Sequence, residues 1–192
     1  MKVLPSQKKR KRSQLGFTLA EMMIAIVISA VILVGSVELV NHMVIASAQN
    51  RAKTMSMLQV QYVGFWITED AVQARADGIS LGDAQGFPLT IDWTAWNGDE
   101  NKVVYSVDGS PLWTLTREQL LKKNGQSVFT SYGNTTVGQL LDPAGTRFWW
   151  VTGNLTAPVL GGNVTAVGDP YATKSHDRFE ASRTYMINPR SK

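Results

Sequence analysis

The sequence contains no cysteine. That excludes a disulfide framework, a thiolate metal site and a cysteine nucleophile, so any extracytoplasmic fold must hold by packing alone. Histidine is nearly as scarce. Of the two, His42 closes an apolar run and His176 lies in a late polar segment, and neither has a partner at metal-ligand spacing. His42 reads as an interfacial residue and His176, between Ser175 and Asp177, as a loop histidine. A Gly-x-Ser-x-Gly elbow and a P-loop are both missing. Asp92, Asp99 and Glu100 fit no calcium-loop template and read as a solvated hairpin turn. Asn134, Asn154 and Asn163 open N-x-Thr sequons and read as turn asparagines. The inventory offers no catalytic residue, no metal ligand and no cofactor site, and it argues against an enzyme.

Acidic residues are missing before Glu21, whereas Lys2, Lys8, Lys9, Arg10, Lys11 and Arg12 supply six of the 19 positive charges. The sequence pI of 9.4 is therefore a property of the N-terminus. Without residues 1–16, 13 positive charges face 15 negative ones, a net of about −2. The rest of the chain has no general electrostatic case for binding a phosphate backbone, so no nucleic-acid partner is expected.

Charge is missing again over residues 22–37, and proline over residues 17–40. Residues 17–40 are apolar apart from Glu21, Glu38 and a few small polar side chains. A bilayer core of ~30 Å needs ~20 helical residues, so this stretch is long enough to span one. The positive cluster immediately before it predicts a cytoplasmic N-terminus, with the remainder crossing the membrane.

Three readings compete for this segment: a plain signal anchor, a secretory signal peptide and a leader cut before the apolar run. Ala46-Ser47-Ala48 is a small-residue cleavage pattern. Cleavage there would leave an overlong signal interrupted by Glu38, Asn41 and His42. Glu21 discriminates further, because a carboxylate in a helix core costs roughly 2.5–3.5 kcal/mol to insert, less near the interface. A plain anchor gains nothing from it.

Gly16-Phe17-Thr18-Leu19-Ala20-Glu21 behind a basic leader resembles the processing motif of type IV prepilins and type II secretion pseudopilins. The resemblance implies a prepilin peptidase that cuts after Gly16 and N-methylates Phe17, making Glu21 the fifth residue of the mature chain. It also implies other pilin or pseudopilin subunits and an inner-membrane assembly platform as partners. The physics is consistent: cutting before the apolar run leaves the anchor on the product, and a glycine permits close backbone approach. The new α-amino group, with an unperturbed pKa of ~7.7–8.0, is a cation with which Glu21 can pair inside an apolar filament core. Removing one member of such a buried pair costs about 3–5 kcal/mol, so the pair would act as a register device between subunits. Many major pilins have a helix-kinking proline where this chain has Glu38, which reads here as interfacial and solvated.

Beyond the apolar run, Met55, Leu58, Tyr62, Phe65 and Trp66 recur at three- and four-residue spacings, predicting an amphipathic helix with this stripe in the core. Gly78 after Arg75-Ala76-Asp77 reads as its C-cap. The pattern then changes to period two. Leu89, Ile91, Trp93 and Ala95 share one face, Asn97-Gly98 reads as a turn, and Val103, Tyr105 and Val107 alternate before Asp108-Gly109. Thr116 to Gln119 matches a helix capping box, yet a strand suits its hairpin neighbourhood better. Asn124-Gly125 leads to Val128, Thr130 and Tyr132. Residues 147–152, 163–167 and 183–187 are further strand candidates, with long loops expected within 131–174. Trp149 and Trp150 follow Phe148, and an outward-facing one would mark a partner surface.

This succession gives an α+β fold, a long N-terminal helix packed on an antiparallel β-sheet. Its expected parts are a leader over 1–16, a membrane and filament-core helix over 17–48, a soluble half-helix over 49–77 and a β-rich domain over 78–192. The hairpin succession, Glu69-Asp70 through Ala74, Arg117 and the closing Arg183-Thr-Tyr-Met-Ile-Asn-Pro-Arg190 are similar to the larger minor pilins and pseudopilins of the J or W type. That similarity implies a low-abundance subunit that primes or caps a filament. The alternative is a single-pass, membrane-anchored binding or adhesion domain.

Overall fold

Residues 17–151, 158–168 and 179–190 are described by a computed structural model. The chain divides into two compact units, Met1–Ala46 and Ser47–Lys192. One 55-residue helix, α1 (Leu19–Gln73), supplies nearly all of the described part of the first unit and opens the second. Its sequence contains no proline, and several of its hydroxyl side chains return to their own backbone. Ser36 Oγ donates to the Ile32 carbonyl (2.7 Å) and Thr54 Oγ1 to that of Asn50 (2.8 Å). Such i−4 bonds satisfy a hydroxyl without help from solvent.

The helix ends before the expected C-cap. Arg75 adopts extended backbone (φ −85°, ψ 163°) and forms a parallel bridge with Arg190, whose N–H donates to the Ala74 carbonyl at 2.9 Å. A distant segment thus satisfies a carbonyl at the helix end, a service that local sequence does not reveal. Gly78 instead closes a short 3-10 turn, Ala76–Gly78. Its requirement is space, since a Cβ there would lie 2.3 Å from the Asp92 carbonyl oxygen.

Eight antiparallel strands follow: β1 (Ile79–Ser80), β2 (Leu89–Thr94), β3 (Glu100–Asp108), β4 (Trp113–Lys122), β5 (Thr130–Leu141), β6 (Arg147–Val151), β7 (Val159–Val167) and β8 (Glu180–Ile187). The order is β1-β2-β3-β4-β5-β7-β6, with β8 also paired to β7. Hairpin turns at Asn97-Gly98, Asp108-Gly109 and Asn124-Gly125 stand where expected, each glycine at positive φ. Residues 116–119 lie in β4, so the capping-box match there is accidental.

The expectation of long loops within 131–174 fails over its described part, most of which β5, β6 and β7 occupy, while 152–157 and 169–174 lie outside the described residues. Most of the described glycine, asparagine and threonine there sit inside strands. Asn134 lies in β5 and Asn163 in β7, not in turns, while Asn154 and His176 are outside the described residues. Asn163 Nδ2 donates to the Gly145 carbonyl at 2.7 Å, and its Oδ1 accepts from Ser182 and Thr184. Phe148 is buried, whereas Trp149 and Trp150 are half-buried. Trp149 lies on Gly161 under Arg147, and Trp150 packs against the core, so neither is the free surface aromatic imagined for this pair.

The core lies between the second part of α1 and one sheet face. Val60, Val63, Ile67, Ala71 and Ala74 meet Leu89, Ile91, Val103, Tyr105, Leu115, Val137 and Leu141. The helix face used is therefore the small one. Met55, Leu58, Tyr62 and Phe65, expected in the core, are 43%, 54%, 46% and 57% exposed, and Trp66 is half-buried. Small residues let helix and sheet approach closely: the Tyr185 ring sits on Gly64 and its hydroxyl donates to the Val60 carbonyl at 2.6 Å. A row of large side chains on that face would hold the layers apart.

Candidate functional site

Of the three residues expected to govern processing and pairing, Gly16 lies outside the described residues. Phe17 is exposed, immediately before α1. Glu21 does more locally than its sequence reading allowed. The Thr18 N–H donates to Glu21 Oε2 (2.8 Å), Thr18 Oγ1 donates to the same oxygen (3.0 Å), and the Glu21 N–H donates to Thr18 Oγ1 (3.3 Å). This is a reciprocal capping box, with Thr18 as N-cap and Glu21 three residues on. Carboxylate charge in the first turn also suits the helix dipole. The Thr-x-x-Glu spacing was present in the sequence as the signal for it. A plain anchor does gain something from Glu21 after all: an ordered helix start.

From that start α1 is apolar and uncovered. An 18-residue window reaches a mean hydropathy of 2.6 with none of it buried, long and apolar enough to cross a membrane. Ile24, Val27, Val31, Leu33 and Val37 are all more than half exposed within this chain. The prokaryotic N-terminal methylation motif matches residues 11–37, covering Lys11 and Arg12 at the end of the basic cluster, Gly16, Phe17, Glu21 and the first turns of the apolar helix. The chain carries the prepilin signature. No curated protein and no solved structure matches it. The prepilin motif points to a membrane-anchored structural subunit and a substrate of prepilin peptidase.

In the second unit the rotation of this prepilin-type helix is set by a buried charged group. Asp70 and Arg117 are 1% and 4% exposed. Arg117 Nε donates to Asp70 Oδ2 and Nη2 to Oδ1, both at 2.7 Å, a bidentate pair between α1 and β4. The Tyr105 hydroxyl, from β3, also donates to Asp70 Oδ2. The guanidinium lies 4.7 Å from the Trp66 ring centroid, so an aromatic of the helix covers the cation. Burial opposes the charge on Arg117, but the bonds and charge of Asp70 together outweigh it and hold the guanidinium above its ordinary pKa. Burial, with the Asp70 carboxylate beside it, pushes the Tyr105 hydroxyl well above the tyrosine range. The group is thus an ion pair beside a neutral phenol. Trp66 Nε1 is the lone buried side-chain polar atom without a hydrogen-bond partner among the described residues.

Asp70 and Arg117 figured in the sequence reading only as part of a family resemblance. A physical signal was available: Asp70 shares the buried helix face of Ile67, Ala71 and Ala74, and Arg117 shares the inward face of Leu115. A charge on such a face needs a partner.

With that face locked, Met55, Leu58, Tyr62, Phe65 and Val72 form an uncovered seam at spacings of three, four, three and seven. Trp66 braces it, meeting Tyr62 and Phe65 edge-on at 6.0 and 5.7 Å between centroids. This is the spacing that packs one helix against another. Among the described residues, no group of three or more His, Cys, Asp or Glu is placed to hold a metal.

Proposed function

We propose that the chain is a minor pilin or pseudopilin, a subunit that helps prime or cap a type IV pilus or type II secretion filament. The observation that carries this reading is the methylation motif set on an apolar helix with no buried side chain in its apolar window. A helix of this kind requires lipid first and neighbouring helices afterwards. The uncovered seam of the second unit extends the same demand to residues 55–72. In this reading residues 1–16 are a cytoplasmic leader, 17–48 the membrane and filament-core helix, 49–77 the soluble half-helix and 78–192 the extracytoplasmic β-rich domain. Prepilin peptidase cuts after Gly16 and methylates Phe17, an assembly platform receives the helix, and Glu21 pairs with a Phe17 amine.

The N-terminal residue of the mature protein tests this. N-methyl-phenylalanine at Phe17 is expected. An intact Met1 would instead mark a permanent anchor, and an N-terminal Gln49 a secreted domain. The capping box favours one second reading, a single-pass anchored binding domain, because it gives Glu21 a role without any filament.

A further inference from the structure

Among the described residues, the least covered large hydrophobic side chain of the second unit is Trp96, 99% exposed at the tip of the β2–β3 hairpin. The tip beneath it is firmly held. The Ala95 N–H donates to the Asp99 carbonyl (2.8 Å) and the Gly98 N–H to that of Ala95 (3.0 Å). Asn97 Nδ2 donates to Asp99 Oδ2 (2.8 Å), and the Asp99 N–H to Asn97 Oδ1 (3.1 Å). From the β4–β5 turn, the Asn124 N–H donates to Asp99 Oδ1 at 2.8 Å and its Nδ2 to the Asn97 carbonyl at 3.4 Å. Two turns are bolted together, and the indole stands on them with nothing covering it. Asp99, expected to be merely solvated, is the bolt.

Two residues before Trp96, Thr94 lines a cleft of about 660 Å³ at the end of α1, with Trp93 and Phe129 as its aromatic lining. That volume lies within the range of ligand-sized sites. Arg75 and Arg190 line it too, brought side by side by their backbone bridge. Neither guanidinium is in either ion pair found among the described residues, and the nearby Glu100 is engaged by Lys122 at 2.8 Å. Asp77 and Asp92 share the lining, so its carboxylates outnumber its guanidiniums. A polyanion such as nucleic acid, or an anionic bilayer surface, would meet those carboxylates as well as the arginines. A single carboxylate of a protein can be matched to the two guanidiniums alone, which lie side by side outside both ion pairs.

We propose that this end of the domain docks a second prepilin-type subunit, with Trp96 entering an apolar pocket of that subunit and Arg75 and Arg190 receiving one of its carboxylates. The inference rests on the filament reading, which brings such subunits alongside. Tryptophan and arginine are the side chains that most often dominate protein interfaces, and a preorganised anchor binds at a lower entropic cost.

The test places a photoreactive benzophenone amino acid at position 96 of the full-length chain in its own cells. Adducts are identified by mass spectrometry, and the N-terminus is read from the same sample. The expected result is an adduct with another protein carrying an N-terminal methylation motif, reduced at least tenfold when Arg75→Glu and Arg190→Glu are combined. N-methylated Phe17 with no protein adduct, or with adducts only to glycan, lipid, a second copy of this chain or proteins lacking that motif, overturns the docking surface and leaves the filament reading intact. An adduct unmoved by the double charge reversal overturns the carboxylate contact. An intact Met1 overturns both. Because the indole is free of packing, Trp96→Ala should leave the thermal midpoint unchanged while removing the partner from co-purified material. A lowered midpoint would show that Trp96 serves the fold.

Discussion

Asp70 and Arg117 each occupy a face otherwise made of apolar side chains, and each is tolerable there only because of the other. Removing one leaves a buried, uncompensated charge. Arg117→Leu should therefore lower stability by about 3–5 kcal/mol in urea unfolding, and Asp70→Leu with Arg117→Leu should recover most of that loss. Tyr105 makes the same cluster pH-sensitive at the alkaline end. Its hydroxyl has a raised pKa in the folded state, so its contribution is fully present below the ordinary tyrosine pKa of ~10. Above that pH the unfolded chain loses the proton first, and the contribution fades as pH rises toward the folded value. Tyr105→Phe should flatten the fall in stability between pH 9 and 11 measured by denaturant titration. At the other end of α1, Glu21 has two separable roles. Glu21→Gln keeps the capping-box geometry and removes the charge. If charge pairing drives assembly, this variant inserts and is processed normally but fails to enter filaments. Normal incorporation would leave capping as the only role of Glu21.

At the scale of elements, α1 presents two opposed faces, and the sheet takes the one with the smaller residues. Phe65 is on the face left over. Phe65→Lys should change the stability of the domain by no more than about 0.5 kcal/mol while abolishing co-assembly, whereas Ile67→Ala should cost about 2–5 kcal/mol. Equal destabilisation by both, in thermal or urea melts, would show that the seam is part of the core. The sequence pattern announced a helix with large apolar residues at regular spacing, and that much was legible. It did not say which face the sheet would cover, because Val60, Val63, Ile67 and Ala71 have the same periodicity as Met55, Leu58, Tyr62 and Phe65, offset around the helix. Size favours the second set by burial of area, and close approach favours the first. In the sheet, alternation placed Leu89, Ile91, Val103 and Tyr105 correctly. It also marked 163–167 within β7 and the start of β5, but not the rest of those strands, where glycine and threonine looked like loop. Those strands are specified by their neighbours: the Gly161 and Gly162 positions of β7 are filled by Trp149 and Phe148 from β6.

At the scale of the whole molecule, the two units make opposite demands on solvent. Among the described residues, every buried apolar one lies at or beyond Ala52, in the second unit, which holds its own core. A variant reduced to residues 47–192 should therefore stay in the aqueous fraction without detergent, with an unfolding midpoint within a few degrees of the full chain in detergent. Aggregation of the shortened variant would show that the core needs residues before 47.

The sequence by itself determined how the chain begins and what its first helix requires. Basic cluster, Gly16, Phe17, Glu21 and apolar run act through composition and local spacing, which need no fold to be read. It also determined the α+β layering and the three hairpin turns, since glycine at positive φ and period-two alternation are local properties. Only the tertiary structure decided which side of α1 is buried, that Arg190 rather than Gly78 completes the helix end, and that Asp70 meets Arg117. Each of these joins residues at least 47 positions apart, or compares two faces of equal periodicity. Such choices are settled by packing distance and by the need to pair a buried charge, and neither is written in any single stretch of chain.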